Sequence, residues 1–138
     1  MRSRARTWWK RRGRPGAAAV ELVMVLPTFL FMSVAATDYA RLFYTWATIA
    51  DCARNGAFYA SDPSFASSTS FRSVSEAALA DATNLSPTPT VSQTSGIDGA
   101  GNSYVEVTVS TTFTPTTPYS SIPNSVPLSR KLRMVVTP

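Results

Sequence analysis

Residues Ala17–Ala36 read AAAVELVMVLPTFLFMSVAA, a stretch whose only ionisable member is Glu21. As a helix it would run about 30 Å at 1.5 Å per residue, the hydrocarbon thickness of a bilayer. Ahead of it stand Arg2, Arg4, Arg6, Lys10, Arg11, Arg12 and Arg14, with no acid among them. The carboxyl-side flank is nearly neutral. The positive-inside rule therefore places the amino terminus in the cytoplasm and everything beyond about Thr37 outside. Trp8 and Trp9 beside Lys10 suit the headgroup layer, where amphipathic indoles and cations both gain. Pro27 falls inside the span and can kink it, which membrane helices tolerate better than soluble ones.

The helical pattern continues past the bilayer. Tyr39, Leu42, Phe43, Trp46, Ile49, Ala50, Ala53 and Ala57 recur at helical spacing, while Arg41, Thr45, Thr48, Asp51 and Asn55 fall on the other side. Asp38 with Arg41, and Asp51 with Arg54, stand three apart and predict weak surface ion pairs. A helix from about Ala17 to Ala60 would measure roughly 66 Å, about half of it beyond the bilayer. Asp62-Pro63 ends the run.

Composition narrows the chemistry. The 138-residue chain has no histidine and one cysteine, Cys52, which removes the usual general base, most Ser/His/Asp and Cys/His arrangements, and any Cys/His zinc site. No cofactor is expected. A lone cysteine forms no internal disulfide, and Cys52 reads as a small buried apolar residue. The net charge of +5 is concentrated in the leader; the remainder carries six basic and eight acidic groups and is slightly negative. A basic arm with two tryptophans could bind RNA by stacking. The apolar run that follows makes an orientation signal the better reading, and no nucleic-acid partner is expected.

Beyond Ala60 the composition turns to serine, threonine and proline, and Ser and Thr together make up about a quarter of the chain. SDPSFASSTSF reads as a loop. Ser73 with Glu76 has capping-box spacing and predicts a short helix from about Val74 to Asn84, which SPTPT then breaks. Val91–Ser95, the turn-rich GIDGAGN, and the alternating YVEVTVSTTF of Tyr104–Phe113 predict two strands and a loop. Val105, Val107 and Val109 share one face of the second, opposite Glu106, Thr108 and Ser110. After the proline-rich TPTTPYSSIPNSVP, the closing RKLRMVV returns as a third strand with Leu132 and Met134 alternating against Arg133 and Val135. The pieces predict a small antiparallel sheet packed on the outer half of the long helix.

Glu21 draws attention because a charge in an apolar span costs roughly 2.5 to 3.5 kcal/mol at the membrane centre, less near the end. Standing near the interface, it can snorkel or take a proton. Its setting is a basic leader, Gly16, Ala17 to Val20, then Glu21 five residues after the glycine, then an apolar helix. That arrangement resembles the class III prepilin signal. The resemblance implies an aspartic prepilin peptidase cutting between Gly16 and Ala17, with Glu21 as the fifth residue of the product. Glycine lets the backbone lie extended in a protease cleft, and a new amino terminus at Ala17 can answer Glu21 between neighbouring chains.

More of the chain is similar to one family, the TadE-like proteins of tight-adherence (Flp-type) pilus systems. The shared features are Gly16 to Glu21, the mid-span Pro27, the patch Asp38-Tyr39-Ala40-Arg41 and the patch Ala53-Arg54-Asn55-Gly56-Ala57, all in about the first sixty residues. Leu22 stands where processed pseudopilins often carry tyrosine. The resemblance implies a pseudopilin-type protein of the cell envelope, with the lipid bilayer, a prepilin peptidase and other pilus or pseudopilin subunits as partners. Ala53, Gly56 and Ala57 also read as a small-residue face for close helix packing, possible within the chain or between subunits, with Gly56 near the helix end.

The expected architecture is α+β: a basic cytoplasmic leader (1–16), a transmembrane helix (17–36), its amphipathic continuation (37–60), and a small extracytoplasmic domain (61–138) with strands near 91–95, 104–113 and 130–136. The expected role is structural, in pilus assembly or secretion, and not enzymatic. Three other readings stand beside it, the first an unprocessed bitopic membrane anchor protein that keeps its leader. Val34-Ala35-Ala36 fits signal peptidase and Arg11-Arg12 twin-arginine export, which would release a soluble binding domain. A serine hydrolase with lysine as base would have to use Lys10 or Lys131, neither in a recognisable pocket signature.

Overall fold

The structure is a computed structural model. It describes residues 15–117 and 124–137; the leader with Trp8 and Trp9, and the centre of the proline-rich stretch, lie outside the described residues. The elements run α1 (Pro15–Ser61), α2 (Pro63–Ser68), α3 (Val74–Leu79), β1 (Thr90–Ile97), β2 (Ser103–Phe113) and β3 (Val126–Val135). Contacts divide the chain into two units, Met1–Ala35 and Ala36–Pro138.

The described part of the first unit is the amino-terminal half of α1. Residues 16–34 are all exposed, with Leu22, Val23, Met24, Phe29 and Met32 more than 60 % accessible. A helix this long and apolar can cross a membrane, and its bare side chains leave the apolar surface for another phase to cover. Pro27 removes one backbone donor from the ladder. Ser33 donates its hydroxyl to the Phe29 carbonyl at 2.9 Å, which satisfies it within the helix.

In the second unit, three antiparallel strands in the order β1-β2-β3 cover the rest of α1. Asp38, Leu42, Thr45, Ile49, Cys52 and Gly56 form the buried or half-buried seam, spaced alternately three and four apart as a helix requires to keep one face inward. Val105, Val107 and Val109 of the central strand are at most 2 % exposed, and Val107 and Val109 meet Ile49, Cys52, Ala53 and Ala57 in one core. Each valine buried contributes about 1.5–3 kcal/mol. Register pairs Val105 with Met134 and Val107 with Leu132, which carries the apolar face onto β3.

The other sheet face is held by polar pairs. Glu106 lies opposite Arg133, and its carboxylate takes Lys131 Nζ at 3.0 Å and Arg133 Nε at 3.6 Å. These cations hold its carboxyl below the usual range, the Lys131 hydrogen bond first. Tyr104 lays its ring over Gly96, filling the gap left by the missing side chain, and Arg133 covers that ring at 3.8 Å. At the β1–β2 turn Asp98 accepts from the backbone of Ala100 and Asn102, and Gly101 takes a φ of 85° that L residues avoid.

Several local expectations are corrected. The serine-rich stretch after Ser61 is not all loop: Asp62 caps α2 by accepting from Ser64 N at 2.9 Å and Phe65 N at 3.1 Å, with Pro63 pre-set for the first turn. Helix α3 starts as the capping box predicts, with Ser73 Oγ accepting from Glu76 N, but the Glu76 carboxylate takes Arg72 N instead of Ser73 N. It also stops at Leu79, five residues short of Asn84. Bonds from Ala82 N to Leu79 O and from Leu85 N to Ala82 O tighten the chain there and turn Ala82 into the core. Strand β3 opens at Val126, four residues before Arg130, because its ladder to β2 reaches Phe113.

Candidate functional site

At the amino end, Pro15 takes the first helical position, where its missing N–H costs nothing. Gly16 and Ala17 follow in the first turn, exposed, and a Cβ built on Gly16 meets nothing within 4 Å. The first turn of a helix has unsatisfied donors and frays, so this bond can adopt the extended form a protease needs. Glu21 lies one turn beyond Ala17 on the same face, exposed, with no ion-pair partner among the described residues. A positive amino group created at Ala17 would sit i,i+4 from that carboxylate. By contrast, Ala36 and Thr37 lie well inside α1.

The second group is built on Asp38. Its side chain is 7 % exposed as a residue and accepts from Thr116 N at 3.0 Å, Thr117 N at 3.3 Å and Arg41 Nη1 at 3.2 Å. The Thr116 backbone bond leads in holding this carboxyl below its ordinary value. Arg41 also donates to the Thr116 hydroxyl and lies 5.6 Å from the Phe113 ring centre. The pair predicted as a weak surface bridge is therefore a clamp that ties the chain leaving β2 to α1. Asp51 and Arg54, predicted alike, form no ion pair among the described residues.

Beside the clamp opens a cleft of about 530 Å³ between α1, the segment before β1 and the end of β2. Arg41, Tyr44, Asn84, Pro87 and Thr112 are among its walls, and Asn84 donates to the Tyr44 hydroxyl across it. Sequence reading missed both cleft and clamp, because each joins residues forty or more positions apart. The only signal was that Asp38 and Arg41 belong to one of the patches quoted above.

The third group is the small-residue patch. Ala53 and Ala57 are 1 % and 0 % exposed, and Gly56 is buried. A Cβ on Gly56 would stand 3.0 Å from Ala78 Cβ and 3.1 Å from Val107 Cγ1, so the missing side chain is what lets α3 and β2 close on α1. These contacts lie within the chain. Gly56 stands near the helix end, five residues before α1 stops at Ser61. Asn55 joins the patch to the turn after α3 by donating to Asp81 at 2.9 Å. Cys52 beneath it is fully buried, and burial first, then Asp81 and Asp51, push its thiol up.

Among the described residues, no group of three or more His, Cys, Asp or Glu could hold a metal ion. Neither the curated proteins nor the solved structures compared with the chain gave a match. A family model does match, and it covers the peptide bond at Gly16, Glu21, Pro27, the Asp38 and Arg41 side of the clamp and the Gly56 patch, stopping short of the sheet. Residues 16–57 are similar to the TadE-like proteins, whose family model they match.

Proposed function

We propose that this chain is a membrane-anchored, pseudopilin-type component of a tight-adherence (Flp-type) pilus or a related envelope secretion complex, with a structural role in assembly and no catalytic one. The supporting observation is the join of Gly16, Ala17 and Glu21, all exposed at the head of α1, to an apolar span with bare side chains inside the TadE-like match. A prepilin peptidase at the cytoplasmic face cuts between Gly16 and Ala17 and removes the basic leader. The helix then stays in the cytoplasmic membrane, amino end inward, with the sheet domain outside. Glu21 answers the new amino terminus, in its own chain or in a neighbouring pilus or pseudopilin subunit, since a paired charge loses less on leaving water than a lone one.

The clamp and the small-residue patch serve this role by fixing the sheet on the helix, so that force or docking on the outer domain is passed to the anchor. Amino-terminal sequencing of protein from native membranes tests the processing step. Ala17 as first residue, gained only when the peptidase is present, is the expected result. Met1 intact would leave an unprocessed anchor protein and remove the pseudopilin mechanism.

A further inference from the structure

Tyr39, Phe43 and Trp46 stand at i, i+4 and i+7 on α1, outside the seam that meets the sheet. Their rings form a ladder, with centroids 4.9 Å and 6.4 Å apart. They remain 62 %, 52 % and 40 % exposed, although aromatic rings are among the largest apolar groups a chain can bury. Arg130 on β3 places its guanidinium carbon 3.6 Å over the Trp46 ring, and its Nε is buried with no hydrogen-bond partner. The other two β3 cations, Lys131 and Arg133, answer Glu106; Arg130 has no carboxylate partner among the described residues.

We infer that this stripe is a membrane-interface surface: Tyr39, Phe43 and Trp46 lie in the outer headgroup layer, and Arg130 meets a lipid phosphate there. The inference rests on the anchor reading above. Lipid is the occupant because the stripe begins three residues past the end of the apolar span on the same helix, which puts Tyr39 about 4.5 Å beyond Ala36. Tyrosine, tryptophan and arginine combine an apolar body with a polar tip, the chemistry the interface selects. A guanidinium with no carboxylate partner among the described residues complements a phosphate, its strongest common acceptor. The stripe is about 10 Å long, comparable with the headgroup layer, which is about 5–8 Å thick on each side.

The test uses the full chain with Trp8→Phe and Trp9→Phe, leaving Trp46 as the sole tryptophan, in phosphatidylglycerol–phosphatidylethanolamine vesicles. Lipids brominated near the headgroup should quench Trp46 more than lipids brominated near the chain ends, iodide should quench it little, and Arg130→Gln should reduce the shallow quenching. Full quenching by iodide and none by lipid would overturn the inference. So would a Trp46 reached by neither, which would mean a second copy covers it. A companion chain with Trp46→Phe and Phe29→Trp carries the control within the span. Deep-lipid quenching there, without quenching of Trp46, sinks the interface alone; no lipid quenching of either sinks the anchor reading as well.

Discussion

Replacing Gly56 with alanine sets two effects of opposite sign against each other. In an ordinary helix interior the change stabilises by roughly 0.5–1 kcal/mol, because glycine loses more backbone freedom on folding. At this position the new methyl would lie 3.0 Å from Ala78 Cβ and 3.1 Å from Val107 Cγ1. Ala78 has no rotamer to move into, and Val107 is 0 % exposed on the central strand, paired on both sides. Neither neighbour yields cheaply, and overpacking of that kind costs about 1–3 kcal/mol. The clash wins, and Gly56→Ala should destabilise the sheet-bearing unit by about 1 kcal/mol. For a domain near a hundred residues that is about 4–8 °C in Tm. The assay is thermal unfolding of the full chain in detergent micelles, followed by circular dichroism in the β-sheet region. Gly56→Leu, with three further heavy atoms, should lose the cooperative sheet transition altogether. A Tm that rises in Gly56→Ala would mean that helix propensity dominates and that α3 and β2 do not close on α1 as described.

Asp38 makes the stability of the outer unit depend on pH in a direction that can be worked out. Its folded pKa lies below the ordinary value of 3.8, so its contribution is fully present above that value and fades as pH falls through the folded pKa. Asp38→Asn should therefore lower Tm at pH 7 and flatten the decline of Tm below pH 4; an unchanged acid limb would show that the clamp does not form. Cys52, fully buried with its thiol pushed up, should resist maleimide in the native chain and react only after denaturation; rapid native labelling would contradict its placement. Tyr104→Ala uncovers Gly96 and removes the ring under Arg133, and should cost up to about 1 kcal/mol in the same unfolding assay. No change would mean that the ring does not brace the β1–β2 pair.

The parts of the fold legible in the sequence are those written in local period. The span from Ala17 to Ala36 shows itself by length and by the lack of charge, and β2 by the alternation of Val105, Val107 and Val109 with polar neighbours. Strand β3 was legible only from Arg130 onward. Its first residues include Pro127, which reads as a breaker but sits on an edge strand, where a lost donor costs little. Helix α2 was hidden because a run of serines looks like a loop until the cap at Asp62 is weighed. The end of α3 depends on burying Ala82, a tertiary demand that capping and period cannot express. The same limit applies to the candidate sites. Gly16, Ala17 and Glu21 were readable as a spacing, and Ala53, Gly56 and Ala57 as small residues on one face. What Gly56 makes room for, and that Asp38 holds backbone 78 and 79 residues away, are facts of the fold.

The claim on which the rest depends is that α1 crosses the cytoplasmic membrane once and leaves the sheet domain outside. The most direct measurement appends an epitope after Pro138 and treats spheroplasts with protease, with a cytoplasmic protein as lysis control. The account predicts that the epitope is lost from intact spheroplasts while the control survives. An epitope that survives until the membrane is broken, or a chain found in the soluble fraction, would contradict it.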